Sequence, residues 1–316
     1  MTAYIMRRLA LMVPTVALVV VATFILMHVV PGDAVLAHIE EGNYFSKEQL
    51  AQMRADLGLD RPLVVQFGSW VWGLAHLDAG KSLFTGRPVI DQLRRAIPVT
   101  VELMVLSQIL SISVAIPIGV ITAIKQDSWP DYVLRLFSIW MLAAPSFWVA
   151  TMVIVFGSYV FHWAPPFGYV PIWEDPVQNL KQFVLPAAII GLQGSATKMR
   201  LTRSTVLEVL RQDYVRTARS KGLSERVIMV RHVLKNALIP VVTVWGASIA
   251  TLLGGTVIIE TIFALPGVGS SMITAIRNSD ITQLQINVLF FGMAVSTVNL
   301  MVDLSYTLLD RRVSYR

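Results

Sequence analysis

The sequence predicts an all-α, polytopic membrane protein with six transmembrane helices, and three observations carry that expectation. Of 316 residues, 55% are hydrophobic and only 15% charged, where a soluble domain of this size carries about 25% charged residues. The deficit is concentrated in apolar runs of about 20 residues, the length a helix needs to cross the hydrocarbon of a bilayer. The remaining basic residues gather in alternate loops, as the positive-inside rule requires of a chain threaded through a membrane. The net charge of +6 is therefore assigned to membrane orientation, and no nucleic-acid partner is expected. The absence of cysteine excludes disulfides and thiolate metal sites.

The first run, 9–30, follows Arg7 and Arg8. It is too long for the apolar core of a signal peptide, so it is read as an uncleaved span with a cytoplasmic N-terminus. Pro14 lies in its first turns, where proline costs little. Residues 31–97 contain no spanning run. Ser46-Lys47-Glu48-Gln49 forms a capping box that opens a short helix, and Gly58 can end it. Pro62 suits the first turn of another helix, whose Phe67, Trp70 and Trp72 favour the membrane–water boundary. Val89, Ile90, Leu93 and Ile97, set against Asp91, Arg94 and Arg95, predict an amphipathic stretch lying along the surface. The chain thus divides into 1–97, one span plus an outer region, and 98–316, a five-helix core.

The five further spans are expected at 98–124, 132–161, 183–201, 237–262 and 284–309. The run 132–161 is long for one span and is expected to tilt or bend near Pro145. Both termini then face the cytoplasm. On this arrangement 17 of the 26 Lys and Arg residues are cytoplasmic, with Lys198 counted among them.

Between the fourth and fifth runs lies a polar stretch, 204–236. Val206, Leu210, Tyr214 and Ala218 recur at four-residue steps and predict one face of a helix, with Arg211, Arg216, Arg219 and Lys221 on its other faces. Gly222 suits a helix stop in the left-handed conformation, with Leu223 folding back on the last turn. Ser224 suits the N-cap of a second helix, Glu225 its first turn, and Val227, Val230 and Leu234 its apolar face. A bent pair of short helices results, apolar on one side and basic on the other. It reads either as a surface hairpin obeying the positive-inside rule or as a docking element for a cytoplasmic partner.

Gly246, Ala250 and Gly254 form a small-residue stripe that lets another helix approach closely, inside this chain or from a second subunit. His28, Glu102 and Glu260 sit near span ends, and Asp303 lies deeper. With no series of acids at helical spacing to connect them, they are expected to be interfacial or helix-bonded. Gly80-Lys81-Ser82 ends like a phosphate-binding loop, but Ala75 stands where that pattern needs glycine. No H-E-x-x-H or G-x-S-x-G motif occurs, and the five histidines have no metal-ligand spacing. The chain is expected to be no enzyme and to hold no metal or cofactor.

The segment D-Y-V-R-T-A-R-S-K-G-L, 213–223, followed by R-H-V-L-K-N-A-L-I-P, 231–240, resembles the cytoplasmic "EAA" loop of ABC importer permeases. It is most similar to that of the dipeptide, oligopeptide and nickel group. V-P-G-D at 30–33, L-G-L-D-R-P-L at 57–63 and E-T-I-F-A-L-P-G-V-G at 260–269 agree with that group and keep its order. Arg216-Thr217-Ala218 stands where the general pattern has E-A-A, Gly222 at its glycine, and Lys235 where it has proline.

The resemblance implies a type I ABC importer permease fold in the cytoplasmic membrane of a prokaryote. It also implies a second homologous permease subunit, two cytoplasmic ATPase subunits that hold the ATP and Mg, and an extracytoplasmic substrate-binding protein. Arg216, Thr217, Ala218, Arg219, Lys221, Gly222, Leu223 and Ser224 would form a coupling helix seated in a groove of one ATPase. Glu260, Phe263, Pro266, Gly267 and Gly269 would lie near the translocation path, and 31–97 would help form the outer face where the binding protein docks. The implied cargo is dipeptides or oligopeptides, with nickel chelates, glutathione or oligosaccharides as alternatives. Two rivals remain: a proton-coupled secondary transporter using Asp303 or Glu260, and a receptor or scaffold whose basic loop binds a soluble partner. A lone transporter has no need of a preformed bent helix pair facing the cytoplasm.

Overall fold

The longest helix begins where the sequence suggested a surface segment. In the computed structural model, which describes residues 2–29 and 60–309, Val89–Ile124 is one unbroken helix of 36 residues (α3). Val89, Leu93 and Ala96 do not lie on a membrane surface but pack against Val268, Ile286 and Leu289. The apolar face of 89–97 is therefore satisfied by neighbouring helices, and α3 continues through Pro98. Interior prolines are tolerated in such helices because neighbours re-satisfy the freed backbone groups.

The other helices are α1 (Thr2–Val29), α2 (Leu63–Ala75), α4 (Trp129–Ala143), α5 (Ser146–Phe161), α6 (Pro176–Leu210), α7 (Asp213–Ser220), α8 (Glu225–Ile262), α9 (Val268–Arg277) and α10 (Ile281–Leu309). Among the described residues there is no strand beyond the isolated Lys81–Pro88 bridge. The capping box at 46–49, the V-P-G-D at 30–33 and the first half of the 57–63 motif lie outside the described residues, as do the side chains of His28 and Asp303.

The long third run is broken as the sequence suggests. α4 and α5 meet at 100° across Ala144 and Pro145. Ala144 is extended, at φ −78° and ψ 120°, because proline crowds the residue before it out of the helical region. By length and apolarity α1, α3, α8 and α10 each qualify as a membrane span, and the α4–α5 pair as a fifth. α6, which contains the expected run 183–201, is long enough, roughly 52 Å at 1.5 Å per residue, but too polar to qualify. Its Gln182, Ser195, Lys198 and Thr202 are buried. Its polar face is packed against α3, α4 and α8, while Leu180 and Val184 stay exposed.

α3 and α6 form the centre of the bundle, and two glycines set their closeness. A Cβ at Gly191 would lie 2.6 Å from the Ser107 carbonyl oxygen, and one at Gly119 2.6 Å from Thr202 Cβ. Leu103, Phe183, Ile259 and Phe263 fill the core around this pair. An ion pair adds a fixed point: Arg203 donates to Asp131 through Nε at 3.1 Å and Nη2 at 3.0 Å, joining α6 to α4. Arg135 adds a contact at 3.2 Å. In sequence these two arginines read only as orientation charges.

The Gly80-Lys81-Ser82 segment is a turn before α3. Ser82 Oγ hydrogen-bonds Asp280, whose other oxygen accepts from Leu83 N–H at 3.2 Å. The segment ties the 80–88 turn to the link between α9 and α10 and forms no phosphate cradle.

Candidate functional site

The polar stretch 204–236 folds as a bent element, but its parts differ from the expectation. The first helix is not continuous from Val206 to Ala218. α6 ends at Leu210, the backbone turns at Arg211 and Gln212, and α7 begins at Asp213. The second helix is not separate either, since Glu225 opens α8, which runs on into the bundle. Its first turns, Ile228–Leu234, are π-helical. The wider turn of that conformation puts Ile228 and Val233, five residues apart, on the buried face. Val227 and Val230, expected inside, point outward at 41% and 61% exposure, because the three- and four-residue spacing of 227, 230 and 234 assumed an ordinary helix.

Beneath the turn Val206, Val215, Ala218, Ile228, Val233 and Ala237 form one buried cluster with Ala123 of α3. Tyr214 adds a polar tie: Asn236 Nδ2 donates to its hydroxyl at 2.9 Å. α7 is therefore fastened to the bases of α3, α6 and α8 together.

The stop at Gly222 forms as predicted. Its φ is +76°, Gly222 N–H donates to Arg219 O at 2.9 Å and Leu223 N–H to Ala218 O at 3.4 Å. This is the paired bonding of a Schellman end. Leu223 stays 40% exposed. Ser224 is extended but makes no side-chain cap bond. Arg219 instead reaches across the turn and donates to Glu225 through Nε at 2.8 Å and Nη2 at 3.1 Å. Arg216, Thr217, Lys221, Gly222 and Ser224 are exposed, and Ala218 is buried in the cluster below.

The Arg219 bond holds the Glu225 carboxyl below its usual range, and Glu225 raises the Arg219 guanidinium. A depressed folded-state pKa means that the clamp is present above the ordinary carboxylate range and is lost as pH falls through the lowered value. Glu225→Gln is therefore expected to speed amide exchange at Lys221–Ser224 at neutral pH several-fold and to have little effect in acid. Equal exchange in both proteins at neutral pH would remove the clamp from the account.

A second constellation surrounds Glu260. Of the two expected settings, interfacial or helix-bonded, the structure excludes the first: Glu260 is fully buried. Thr100 Oγ1 donates to its Oε1 at 2.7 Å and Ser270 N–H to its Oε2 at 3.0 Å, while Val268 N–H donates to Thr100 Oγ1 at 2.9 Å. The carboxylate thus takes the place of an N-cap for α9, where the first amides need acceptors and the helix dipole favours a negative charge. The turn closes so tightly that a Cβ at Gly267 would come 2.3 Å from Glu260 Oε2, and one at Gly269 2.5 Å from Val257 Cα. Phe263, Gly267 and Gly269 are buried around it and Pro266 is exposed. Glu102, expected to be interfacial or helix-bonded, is half-buried and bonded from a loop: Tyr169 donates to its Oε2 at 2.8 Å, and burial together with that carboxylate raises the phenol well above its ordinary range.

The small-residue stripe is divided. Gly246 meets Val302 of α10, with 2.9 Å between a Cβ there and Val302 Cγ1, while Gly254 is exposed with nothing within 4 Å. Among the described residues no group of three or more His, Asp or Glu could hold a metal ion. Three features went unread in the sequence: the Arg219–Glu225 clamp, the Thr100 link to Glu260, and the burial of Lys198, 3% exposed. Arg219 and Glu225 flank a helix-stop glycine, which is the one local signal that could have paired them. Thr100 lies 160 residues from Glu260 and carries no such signal.

Among the described residues, a helical bundle with four apolar helices of spanning length, and a bent pair that makes a fifth if counted as one, defines an integral membrane component. A profile described as "Binding-protein-dependent transport system inner membrane component" matches residues 115–315, and one for the N-terminal part of the same components matches 1–104. The chain belongs to this family. It is 40% identical over 315 residues, covering 100% of both chains, to a Brucella suis (biovar 1, strain 1330) protein whose name provisionally assigns it as a peptide transport system permease protein. It is 34% identical over 339 residues, again covering 100% of both, to the dipeptide transport system permease protein DppB of Escherichia coli (strain K12). Its fold is similar to that of the MetNI methionine ABC transporter in inward facing conformations, with a TM-score of 0.56 at 14% identity, covering 69% of this chain and 96% of that one. An amino acid ABC transporter matches with a TM-score of 0.51 at 14% identity, covering 69% and 94%. The type I ABC importer permease fold implied by the resemblance is the fold observed.

Proposed function

We propose that this chain is the permease subunit of an ABC importer for dipeptides or oligopeptides, and that its 213–224 turn couples it to an ATPase. The observation that carries the reading is the fastening of that turn. Its outer side is exposed and basic, and its inner side, Val215 and Ala218, is packed on the bases of α3, α6 and α8. A push on the turn therefore moves three helices of the bundle. The ATP and Mg reside on two partner ATPases, and a binding protein delivers substrate at the opposite end. Full-length similarity to proteins named as peptide and dipeptide permeases supports the cargo. A second permease pairs with this one, and the open backbone at Gly254 supports a close helix approach from it. The Glu260 turn holds the outer end of α8 rigid beside the path. The subunit lies in the inner membrane with both termini cytoplasmic.

Two measurements test this. The complex reconstituted in liposomes is expected to take up radiolabelled dialanine only with ATP at the ATPase side and binding protein at the other. Uptake by this chain alone on a pH gradient would favour the proton-coupled rival. For orientation, the chain has no native cysteine, so single cysteines report cleanly. Ser224→Cys is expected to resist an impermeant maleimide in intact spheroplasts, and Phe84→Cys, exposed at the other end, to react. The reverse pattern would invert the topology.

A further inference from the structure

Lys198 was counted with the cytoplasmic charges, yet it is 3% exposed in the interior of the bundle. From Lys198 to the turn end of α6 at Leu210 the helix rises roughly 18 Å at 1.5 Å per residue, which sets the residue apart from the basic turn and within the helix bundle. Its Nζ donates to Ser111 Oγ of α3 at 3.0 Å and to Gly194 O of its own helix at 3.0 Å. Both acceptors are neutral, and among the described residues Lys198 forms no ion pair. An ammonium has three donors, so one remains for whatever occupies the space beside it.

That space is a cavity of about 310 Å³ between α3, α6 and α8, with the start of α5 at its edge. Ser107, Ser111, Ser248 and Thr251 give it a hydroxyl lining. Gln108 lines both this cavity and an apolar cleft of about 1200 Å³ formed by α2, α3, α8 and α10. A polar pocket with one cation thus opens beside a large apolar space. An ionisable side chain within a membrane bundle is costly unless it meets an opposite charge or serves a path. Among the described residues no side chain of the bundle supplies that charge.

We infer that Lys198 and its hydroxyl-lined cavity form a carboxylate-accepting site that holds the C-terminal carboxylate of a peptide in transit. The inference rests on the peptide-importer reading and adds to it a place and a recognised group. The apolar cleft beyond Gln108 takes the side chains of the same molecule. Recognition is by the charge and remaining donor of Lys198 and by the hydroxyl of Ser111, which accepts from Lys198 and has its own proton to donate, so it reads the carboxylate and tolerates varied side chains.

The test uses the purified complex without the binding protein, so that selectivity comes from the membrane subunits. Its thermal unfolding midpoint is measured against dialanine and against dialanine amide, which differ only in the carboxylate. Dialanine is expected to stabilise the complex at concentrations at least tenfold below the amide. Lys198→Met is expected to erase that difference and Lys198→Arg to keep part of it. Gly255→Leu guards against a folding defect at Lys198. Gly255 lines the cavity, and a Cβ there has nothing within 4 Å, so the larger side chain fills the pocket and is expected to abolish the dialanine effect. Equal stabilisation by acid and amide overturns the site, whether a phospholipid headgroup or nothing occupies it. So does an acid–amide difference that survives in Lys198→Met, or no stabilisation at all. Dialanine uptake by the wild-type complex in liposomes, with ATP and the binding protein both supplied, is measured beside it. Uptake without stabilisation sinks the site and keeps the importer; stabilisation without uptake keeps the site and sinks the importer.

Discussion

Gly222→Val is expected to leave the complex assembled and to lower uptake per ATP hydrolysed by roughly five- to thirtyfold, the factor that one or two kcal/mol makes in an equilibrium. The reasoning is local. Gly222 sits at φ +76°, where a residue with a Cβ is strained by about 1–2 kcal/mol, and the β-branch of valine makes the cost larger. No atom lies within 4 Å of a Cβ built there. The substitution therefore adds no clash and perturbs only the backbone conformation. The Schellman bonds to Arg219 and Ala218 lengthen, and the Arg219–Glu225 clamp loses its geometry. The buried cluster below is untouched, so folding persists. Arg216→Ala is expected to do far less. Arg216 is 79% exposed and only 3.7 Å from Asp213, and exposed charges at a docking rim affect encounter more than retention. Hydrolysis and uptake measured together in liposomes decide between these outcomes.

Gly267→Ala is expected to lower the unfolding midpoint of the complex by several degrees and to reduce uptake, with Gly269→Ala close behind. At Gly267 the new methyl would stand 2.3 Å from Glu260 Oε2, so either the carboxylate or the turn must move. Overpacking of this kind typically costs 1–3 kcal/mol. The displaced carboxylate also loses the bonds from Thr100 and Ser270 and leaves buried amides of α9 without acceptors. Glu260→Gln keeps the shape and one acceptor oxygen and is expected to cost less than Gly267→Ala. A stable, fully active Gly267→Ala complex would show that the turn has slack it lacks here.

The sequence carried the helical class, the bend at Pro145, the glycine stop and the long runs, because each rests on local rules of length, apolarity and backbone freedom. It misjudged what depends on partners far along the chain. Residues 89–97 looked interfacial because Val268, Ile286 and Leu289, which bury them, lie far away in sequence. Glu260 looked interfacial because proximity to a span end does not reveal that a later turn folds over it. The apolar middle of α6 read as a span like the others, yet the helix carries buried Gln182, Lys198 and Thr202, whose partners, such as Ser111 for Lys198 and Val170 for Gln182, lie elsewhere in the chain. Val227 and Val230 were assigned inward with Leu234 by the three- and four-residue spacing of an ordinary helix, where the π-helical turn buries Ile228 and Val233, five apart. In the turn itself the shape was legible from Gly222, but the clamp that orients it was not.

The central claim is that the 213–224 turn docks on an ATPase subunit, and cross-linking from one introduced cysteine tests it most directly. Lys221→Cys, exposed beside Gly222, carries a benzophenone maleimide in the assembled complex, and Phe84→Cys at the opposite end serves as control. Light is expected to join Lys221→Cys to an ATPase subunit, with a yield that changes when ATP is bound, and to give no ATPase product from Phe84→Cys. Absence of any ATPase product from Lys221→Cys, in a complex that still hydrolyses ATP and takes up dialanine, would contradict the coupling assignment.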